Sequence, residues 1–291
     1  MKYHEPVMLK EVLEYLGPER DEKFIDCTLG DGGHALALLK AEADVLGIDI
    51  SEDAVKRARE RIMEEKLSKA FIARKGNFAD ILEVAVNSGF EHVNGILFDL
   101  GYSSSQLNQD LGISFQQDQP LDMRLDKSLG VTAADLVNSL PENQLAEIIY
   151  GYSDEKLARK FAKEIVKRRG LKKFHSTKDL ADFIKNVAPL GYERGRIHPA
   201  TRTFQALRIA VNSDLDNLKT ALPQAARLLL PGGRMVVISF HSLEDRTVKQ
   251  FGRGAQPTIA ELTKKPLVPM EAEVSANPRA RSAKMRVYEK I

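Results

Sequence analysis

Phe24-Ile25-Asp26-Cys27-Thr28-Leu29-Gly30-Asp31-Gly32-Gly33-His34-Ala35 decides the fold: a brief apolar run enters a glycine cluster, and Ala35 to Leu39 then opens a helix. Glycines between a strand and a helix let the backbone turn sharply and let a ligand lie against bare N–H groups. The cluster satisfies G-x-G-x-x-A by spacing, and the next apolar run, Val45-Leu46-Gly47-Ile48-Asp49, ends on an acid nineteen residues beyond Gly30. A carboxylate at that point is placed to accept both hydroxyls of a ribose. Either signal alone is equally a tight turn or a solvated loop acid. Together, in strand–turn–helix context, they predict a site for an adenosine-containing cofactor.

Working outward, the pattern predicts short helices over 9–16 and 52–65, a third strand at Phe71-Ile72-Ala73 and a fourth at Gly95-Ile96-Leu97-Phe98-Asp99. Short apolar runs between helices are the mark of a parallel sheet covered on both faces. From about Ser103 to His198 no strand pattern appears; instead Leu157, Ala158, Phe161, Ala162 and Ile165 recur at helical spacing. After Pro199 one long helix is expected, with Phe204, Leu207, Val211, Leu215 and Leu218 on one side. It leads through Leu230-Pro231-Gly232-Gly233 into a strand from Arg234 to Phe240, and the alternation of Ala283, Met285 and Val287 predicts a final, half-exposed strand. The expected organisation is an α/β domain made of residues 1–104 and 205–291, interrupted by an all-helical insertion over 105–204. Such an insertion is cheap, because loop-closure entropy grows only slowly with length.

The composition fits this. Of 291 residues, 43 are basic and 41 acidic, and the 43% hydrophobic fraction excludes disordered, collagen-like and disulfide-stapled chains. The single cysteine, Cys27, rules out a disulfide framework and a cysteine-based zinc site. Histidines at 4, 34, 92, 175, 198 and 241 show no ligand spacing, so no metal is expected. No secretion signal and no run of about 20 apolar residues is seen, and the expectation is a cytoplasmic protein without a membrane partner. The near-neutral total charge says little about partners, but Lys156 to Lys173 holds nine basic residues and one acid, Glu164. With the apolar stripe inward, Lys160, Lys163, Lys167, Arg168 and Arg169 are expected to project a cationic face suited to a phosphate backbone, or else to be a merely solvated helix face.

Three features favour S-adenosylmethionine over a dinucleotide. The loop carries Asp31 and no further basic group, which suits a sulfonium cation better than a pyrophosphate. Leu230-Pro231-Gly232-Gly233 is similar to the turn entering the fifth strand of Rossmann-like methyltransferases. Asp99 ends the fourth strand, at the carboxyl edge where such sheets bind ligands.

Asp99-Leu100-Gly101-Tyr102-Ser103-Ser104-Ser105-Gln106 then stands where methyltransferases acting on exocyclic amines carry an acidic or polar residue followed by an aromatic, although the prolines of the usual Asp-Pro-Pro-Tyr form are absent. A cytosine amine is a poor nucleophile because its lone pair is delocalised into the ring; an oxygen holding its N–H localises density on nitrogen. Asp99 serves the cofactor, the amine or both. Tyr102 is a stacking platform or a buried loop tyrosine, and Gln106 a cofactor hydrogen-bonder or a loop amide. His241 leaves the fifth strand at the same edge and is a further catalytic candidate, with Ser242 expected to cap the helix that follows. Arg202 and Arg208 add cations at the junction of insertion and core, where a substrate meets a cofactor. No G-x-S-x-G occurs, which disfavours a serine hydrolase.

Thr28 to His34, Asp99-Leu100-Gly101, Pro120-Leu121-Asp122-Met123-Arg124, His198 to Asn212, Ser239 to Arg246 and Asn277-Pro278-Arg279-Ala280-Arg281-Ser282 together resemble one family: the RsmH (MraW) ribosomal RNA small-subunit methyltransferases. The resemblance implies a Rossmann-like class I methyltransferase sheet with an inserted helical RNA-recognition domain. It implies methyl transfer from S-adenosylmethionine to the exocyclic N4 of a cytidine in the decoding region of small-subunit ribosomal RNA, with the small ribosomal subunit as partner. It also implies cofactor contacts from Gly32, Gly33, His34, Asp49, Phe78, Asp99 and Gln106. The sequence departs from the family at Gln119, usually a glycine, at Tyr150-Gly151-Tyr152-Ser153-Asp154, and in a shorter stretch between Arg253 and Pro278. The alternatives are an RNA-binding assembly factor without catalysis and, disfavoured by the basic insertion, a nicotinamide-dependent dehydrogenase.

Overall fold

The structure, a computed structural model, describes residue 3 and residues 5–101, 110–195 and 197–291. Seven strands form one sheet in the order β3-β2-β1-β4-β5-β7-β6. They are β1 (Lys23–Asp26), β2 (Asp44–Asp49), β3 (Phe71–Lys75), β4 (Val93–Asp99), β5 (Leu229–Ser239), β6 (Ile259–Glu261) and β7 (Lys284–Lys290). Strands β1 to β5 run parallel; β7 runs antiparallel to both β5 and β6. The order reverses at β1, between β2 and β4, so the carboxyl ends of those three strands frame the crevice where an open α/β sheet takes its ligand.

Alternation along the strands builds two cores, one on each face. Phe24, Val45, Leu97, Val236 and Ile238 pack with Ala35 and Leu39 of the Gly33–Lys40 helix and Ala58 and Ile62 of the Glu52–Glu64 helix. Ile25, Leu46, Ile48, Phe98 and Val237 pack on the other side with Ile81, Leu218 and Leu222. Because side chains alternate with period two, Asp26, Asp49 and Asp99 fall on the same face as Phe24, Val45 and Leu97.

The last strand differs from the half-exposed one expected. β7 lies inside the sheet between β5 and β6, and Met285, Arg286, Val287 and Tyr288 are all buried. Arg286 concealed this, since its charge reads as solvent-facing. Its guanidinium instead meets Asp245 at 2.6 Å and Glu261 at 3.3 Å. The covering strand β6 is only three residues long and carries no period of its own.

The long helix expected after Pro199 is two helices, Thr201–Asn212 and Asp214–Leu228, broken at Ser213, whose φ is 54°. The chain divides into compact units at this break: Met1–Ser103 with Leu215–Ile291, and Ser104–Asp214. The expected boundary at 205 therefore moves, because Phe204, Leu207 and Val211 join the core of the helical unit, whereas Leu218 and Leu222 join the sheet.

The helical unit packs the Ala133–Ser139, Glu142–Gly151, Ala158–Arg169, Thr177–Val187 and Thr201–Asn212 helices around Leu145, Ile149, Phe161, Ile165 and Phe174. Thr132 starts the first of them with a capping box to Asp135, and Ser176 caps the Thr177–Val187 helix through Asp179. The family departure at Gln119 is absorbed locally. The residue is outside the left-handed region, and its Oε1 accepts from the Gly112 N–H at 3.1 Å. Among the described residues, no helix is long and apolar enough to cross a membrane.

Candidate functional site

The turn after β1 is shaped by its glycines. Gly32 has φ 71°, and a Cβ there would stand 3.1 Å from the Ala58 Cβ on the Glu52–Glu64 helix. Small size and left-handed backbone are thus both required at one residue. Asp49, at the end of β2, is clamped to this turn: its Oδ2 accepts from the Gly30 N–H at 2.8 Å, and its Oδ1 from the Ser51 N–H at 2.8 Å. Each carboxylate oxygen retains a lone pair, so the clamp orients the group without exhausting it. Burial pushes the Asp49 carboxyl up, against the pull of the Ser51 and Gly30 hydrogen bonds.

Asp31 does not play the part read from the sequence. Its carboxylate is buried and paired with the Arg57 guanidinium at 2.9 Å, and its carbonyl accepts from Arg61 at 3.2 Å. Its charge is thereby countered from the Glu52–Glu64 helix, which the loop sequence alone did not reveal.

The negative character comes instead from Asp26, which in the sequence is one more residue of the first apolar run. Asp26 lies opposite Gly47 of β2 and Leu97 of β4. Asp49 and Asp99 therefore stand one alternation further along the flanking strands, on the same face. Asp26 is 1% exposed; its Oδ1 accepts from the Thr28 N–H at 3.2 Å, while its Oδ2 has no partner among the described residues. Asp99 Oδ1 is likewise buried and unpartnered among them. Burial, together with the Asp49 charge, pushes Asp26 up to about 7. Burial, then the charges of Asp26 and Glu244, push Asp99 up to about 7 as well. Two buried carboxyl oxygens without a partner among the described residues, on one face of neighbouring strands, are unusual unless a ligand completes them. No group of three or more His, Cys, Asp or Glu side chains able to hold a metal ion occurs among the described residues.

His34, in the first turn of the Gly33–Lys40 helix, is buried with Nε2 3.0 Å from the Val7 carbonyl and Nδ1 3.8 Å from Asp99 Oδ2. A carbonyl only accepts, so Nε2 carries a proton and Nδ1 faces the acid. Phe78 follows β3 in the Phe78–Asp80 turn, edge-on to Phe98 at 5.9 Å. The Gly76 N–H donates to the Asp49 carbonyl at 2.9 Å, which ties that turn to the end of β2. His241, not Ser242, caps the Ser242–Gly254 helix: the backbone is still extended at His241, and its Nδ1 accepts from the Glu244 N–H at 3.3 Å. Its Nε2 lies 2.9 Å from Glu244 Oε1, outside hydrogen-bond geometry. Both nitrogens thus face the helix start. Tyr102 and Gln106 lie outside the described residues.

In the helical unit, Lys160, Lys163 and Lys167 are exposed along one side of the Ala158–Arg169 helix. Arg168 and Arg169 are not part of that face, contrary to expectation. Arg168 stacks on Phe174 at 3.9 Å and pairs with Asp179 at 2.6 Å, and Arg169 donates to the Val137 carbonyl at 2.8 Å. The helical period placed them outward; the neighbouring helices drew them in. Arg202 lies 4.0 Å from the buried Glu155, and Arg208 lies 3.8 Å from Asp214.

A sequence-family model described as the MraW methylase family matches residues 1–291. The chain is 44% identical over 309 residues to ribosomal RNA small subunit methyltransferase H of Syntrophotalea carbinolica, covering 99% of this chain and 98% of that protein. It is 45% identical over 307 residues to the protein of that name from Carboxydothermus hydrogenoformans, with coverage of 99% and 98%. Among solved structures, one from Clostridium thermocellum designated an rRNA-methylase superposes with a TM-score of 0.50 at 13% identity, covering 99% of this chain and 100% of that one. That likeness speaks for the fold alone. With the strand order, it identifies the sheet as a Rossmann-like class I methyltransferase fold.

Proposed function

The chain belongs to the MraW methylase family, and from that premise we propose that it transfers the methyl group of S-adenosylmethionine to the exocyclic N4 amine of a cytidine in the decoding region of small-subunit ribosomal RNA. The observation that carries this reading is the row of acids on one face of the sheet edge: clamped Asp49, then Asp26 and Asp99 with orphaned oxygens. Bound S-adenosylmethionine supplies a methyl group activated by a sulfonium charge. The turn at Gly32, Gly33 and His34 holds its amino-acid portion, Asp49 takes the ribose hydroxyls with its remaining lone pairs, and Phe78 faces the adenine. Asp26 and Asp99 offset the positive charge. Gln106 completes the set by its place in the family motif.

Asp99 also accepts the N4 proton. As the bond from nitrogen to the methyl carbon forms and the carbon–sulfur bond breaks, one proton must leave nitrogen. A carboxyl titrating near 7 is suited to take it at neutral pH. Tyr102 is assigned to stacking on the base from its place in the sequence motif alone, while His241 serves by fixing the loop after β5. Holding the two reacting atoms in line accounts for roughly 7–11 kcal/mol of barrier in well-aligned systems. The helical unit grips the RNA through Lys160, Lys163 and Lys167, and through Arg202 and Arg208. Swinging the cytidine out of its stack costs a few kcal/mol, which those contacts offset. The reaction takes place in the cytoplasm on RNA within the small subunit.

The test is transfer of labelled methyl to small subunits that lack the modification, followed by nucleoside analysis. N4-methylcytidine made by the native protein and lost in Asp99→Ala supports the reading. Label on ribose, on C5 or on no RNA defeats it.

A further inference from the structure

The motif Asn277-Pro278-Arg279-Ala280-Arg281-Ser282 has no part in the cofactor site, yet the sheet delivers it to the same edge. Asp99 is in register with Ile238 of β5, and the next β5 residue, Ser239, is in register with Lys284 of β7. Two inter-strand steps are about 10 Å. The antiparallel β7 therefore begins where the parallel strands end, and the Pro278–Ser282 turn immediately precedes it.

That turn is anchored by buried alanines and carries its arginines on exposed positions. Ala280 and Ala283 are 0% and 2% exposed, which anchors the turn in the sheet's core, and the Asn277 side chain accepts from the Arg279 N–H at 3.3 Å. Arg279 and Arg281, between and beside these anchors, are exposed. Lys264 and Lys265 are exposed on the strip whose Leu267 bridges Met285. Of the acids on neighbouring elements, Asp245 holds Arg286 at 2.6 Å with Lys284 at 3.9 Å, and Glu273 accepts from the Met8 N–H at 2.7 Å. Exposed arginines on an anchored turn at the sheet's ligand-binding edge suit phosphate oxygens, since arginine offers paired donors in a fixed fork.

We infer that this turn, with Arg279, Arg281 and Lys284, is a second RNA-contacting surface, carried by the sheet unit itself, that binds the phosphodiester backbone flanking the target cytidine. The inference rests on the proposed RNA substrate. It differs from the helical insertion's contacts in being tied by strand register to the methyl-transfer edge, so it sets where the strand lies as well as how tightly it is held.

The experiment is fluorescence-anisotropy titration of the full-length protein with a single-stranded RNA spanning the decoding region, over a series of salt concentrations. The proteins are the native chain, Arg279→Ala/Arg281→Ala and Arg281→Glu. Losing two phosphate contacts lowers the slope of log affinity against log salt by roughly 1.5. Binding should weaken about tenfold or more at low salt in the double variant, with S-adenosylmethionine affinity by calorimetry unchanged. The unchanged cofactor affinity also certifies the fold, and the exposed Arg281→Glu provides an independent variant should the double one fail to fold. Native affinity and slope in both variants overturn the inference. A native protein that binds this RNA through these arginines but leaves it and the small subunit unmethylated defeats the proposed function while leaving the surface standing.

Discussion

Raising the pH from about 6 to about 8 should tighten S-adenosylmethionine binding about tenfold. Asp26 and Asp99 are each pushed up to about 7, chiefly by burial and then by neighbouring acids. The groups facing them are Asp49 from β2, Glu244 from the Ser242–Gly254 helix, and His34 Nδ1, 3.8 Å from Asp99. The two acids titrate as a pair, so together they retain roughly one proton near neutrality in the ligand-free protein. A sulfonium cation favours the ionised form; binding therefore expels that proton, and affinity climbs as pH rises through 7 and levels off above it. A single carboxyl titrating near 7 is roughly nine-tenths protonated at pH 6 and nine-tenths ionised at pH 8, which amounts to about 1.4 kcal/mol. The demethylated product, whose sulfur is neutral, should show little of this. Calorimetry in two buffers of different ionisation enthalpy counts the released proton directly. In Asp26→Asn the Asp99 carboxyl is still raised by burial and by Glu244 but has lost the Asp26 charge, so the rise in affinity should remain and shift to lower pH. Equal affinity across the range, or an equal rise for the product, refutes the assignment of these acids to the sulfonium charge.

Other perturbations follow from the same geometry. Asp49→Ala should weaken cofactor binding by roughly 1–3 kcal/mol, since the ribose hydroxyls lose their acceptor and the Gly30 and Ser51 N–H groups lose theirs; unchanged calorimetric affinity removes Asp49 from the site. Gly32→Ala forces a side chain into a left-handed residue with φ 71° and against Ala58, and should cost about 1–2 kcal/mol in urea denaturation. Arg286→Ala should destabilise by about 3 kcal/mol, because Asp245 and Glu261 lose their shared buried cation. The ligand-free protein should lose stability as pH rises from about 5 to 7. A carboxyl raised by folding stabilises below its unfolded value and stops doing so as pH passes through its folded one, so a denaturation midpoint that climbs over this interval contradicts the raised values of Asp26 and Asp99.

Reading the chain alone was most successful where the physics is local. The run from Phe24 to Ala35 announced its turn because a left-handed Gly32 and a helix opening beside it are demands of neighbouring residues. Four further strands were visible as apolar runs for the same reason, and Asp49 and Asp99 could be placed at strand ends by counting from them. β7 reads as half-exposed in the sequence because burial of Arg286 depends on Asp245 and Glu261, which lie 41 and 25 residues away. The helix after Pro199 reads as continuous because Phe204 to Leu218 keeps one period through Ser213, although its two halves serve different cores.

The charges divide in the same way. Sequence established which residues carry charge and on which element, so Lys160, Lys163 and Lys167 were foreseeable as a face. Only the packed molecule decided which charges are spent internally: Asp31 on Arg57, Arg168 on Asp179 and Phe174. Only it made Asp26 significant, by setting β1 between β2 and β4 so that three carboxyls share one face. Backbone turns and hydrophobic period are written in adjacent residues. The worth of a buried charge depends on whatever the fold brings beside it, and that is a property of the sheet order rather than of any stretch of chain.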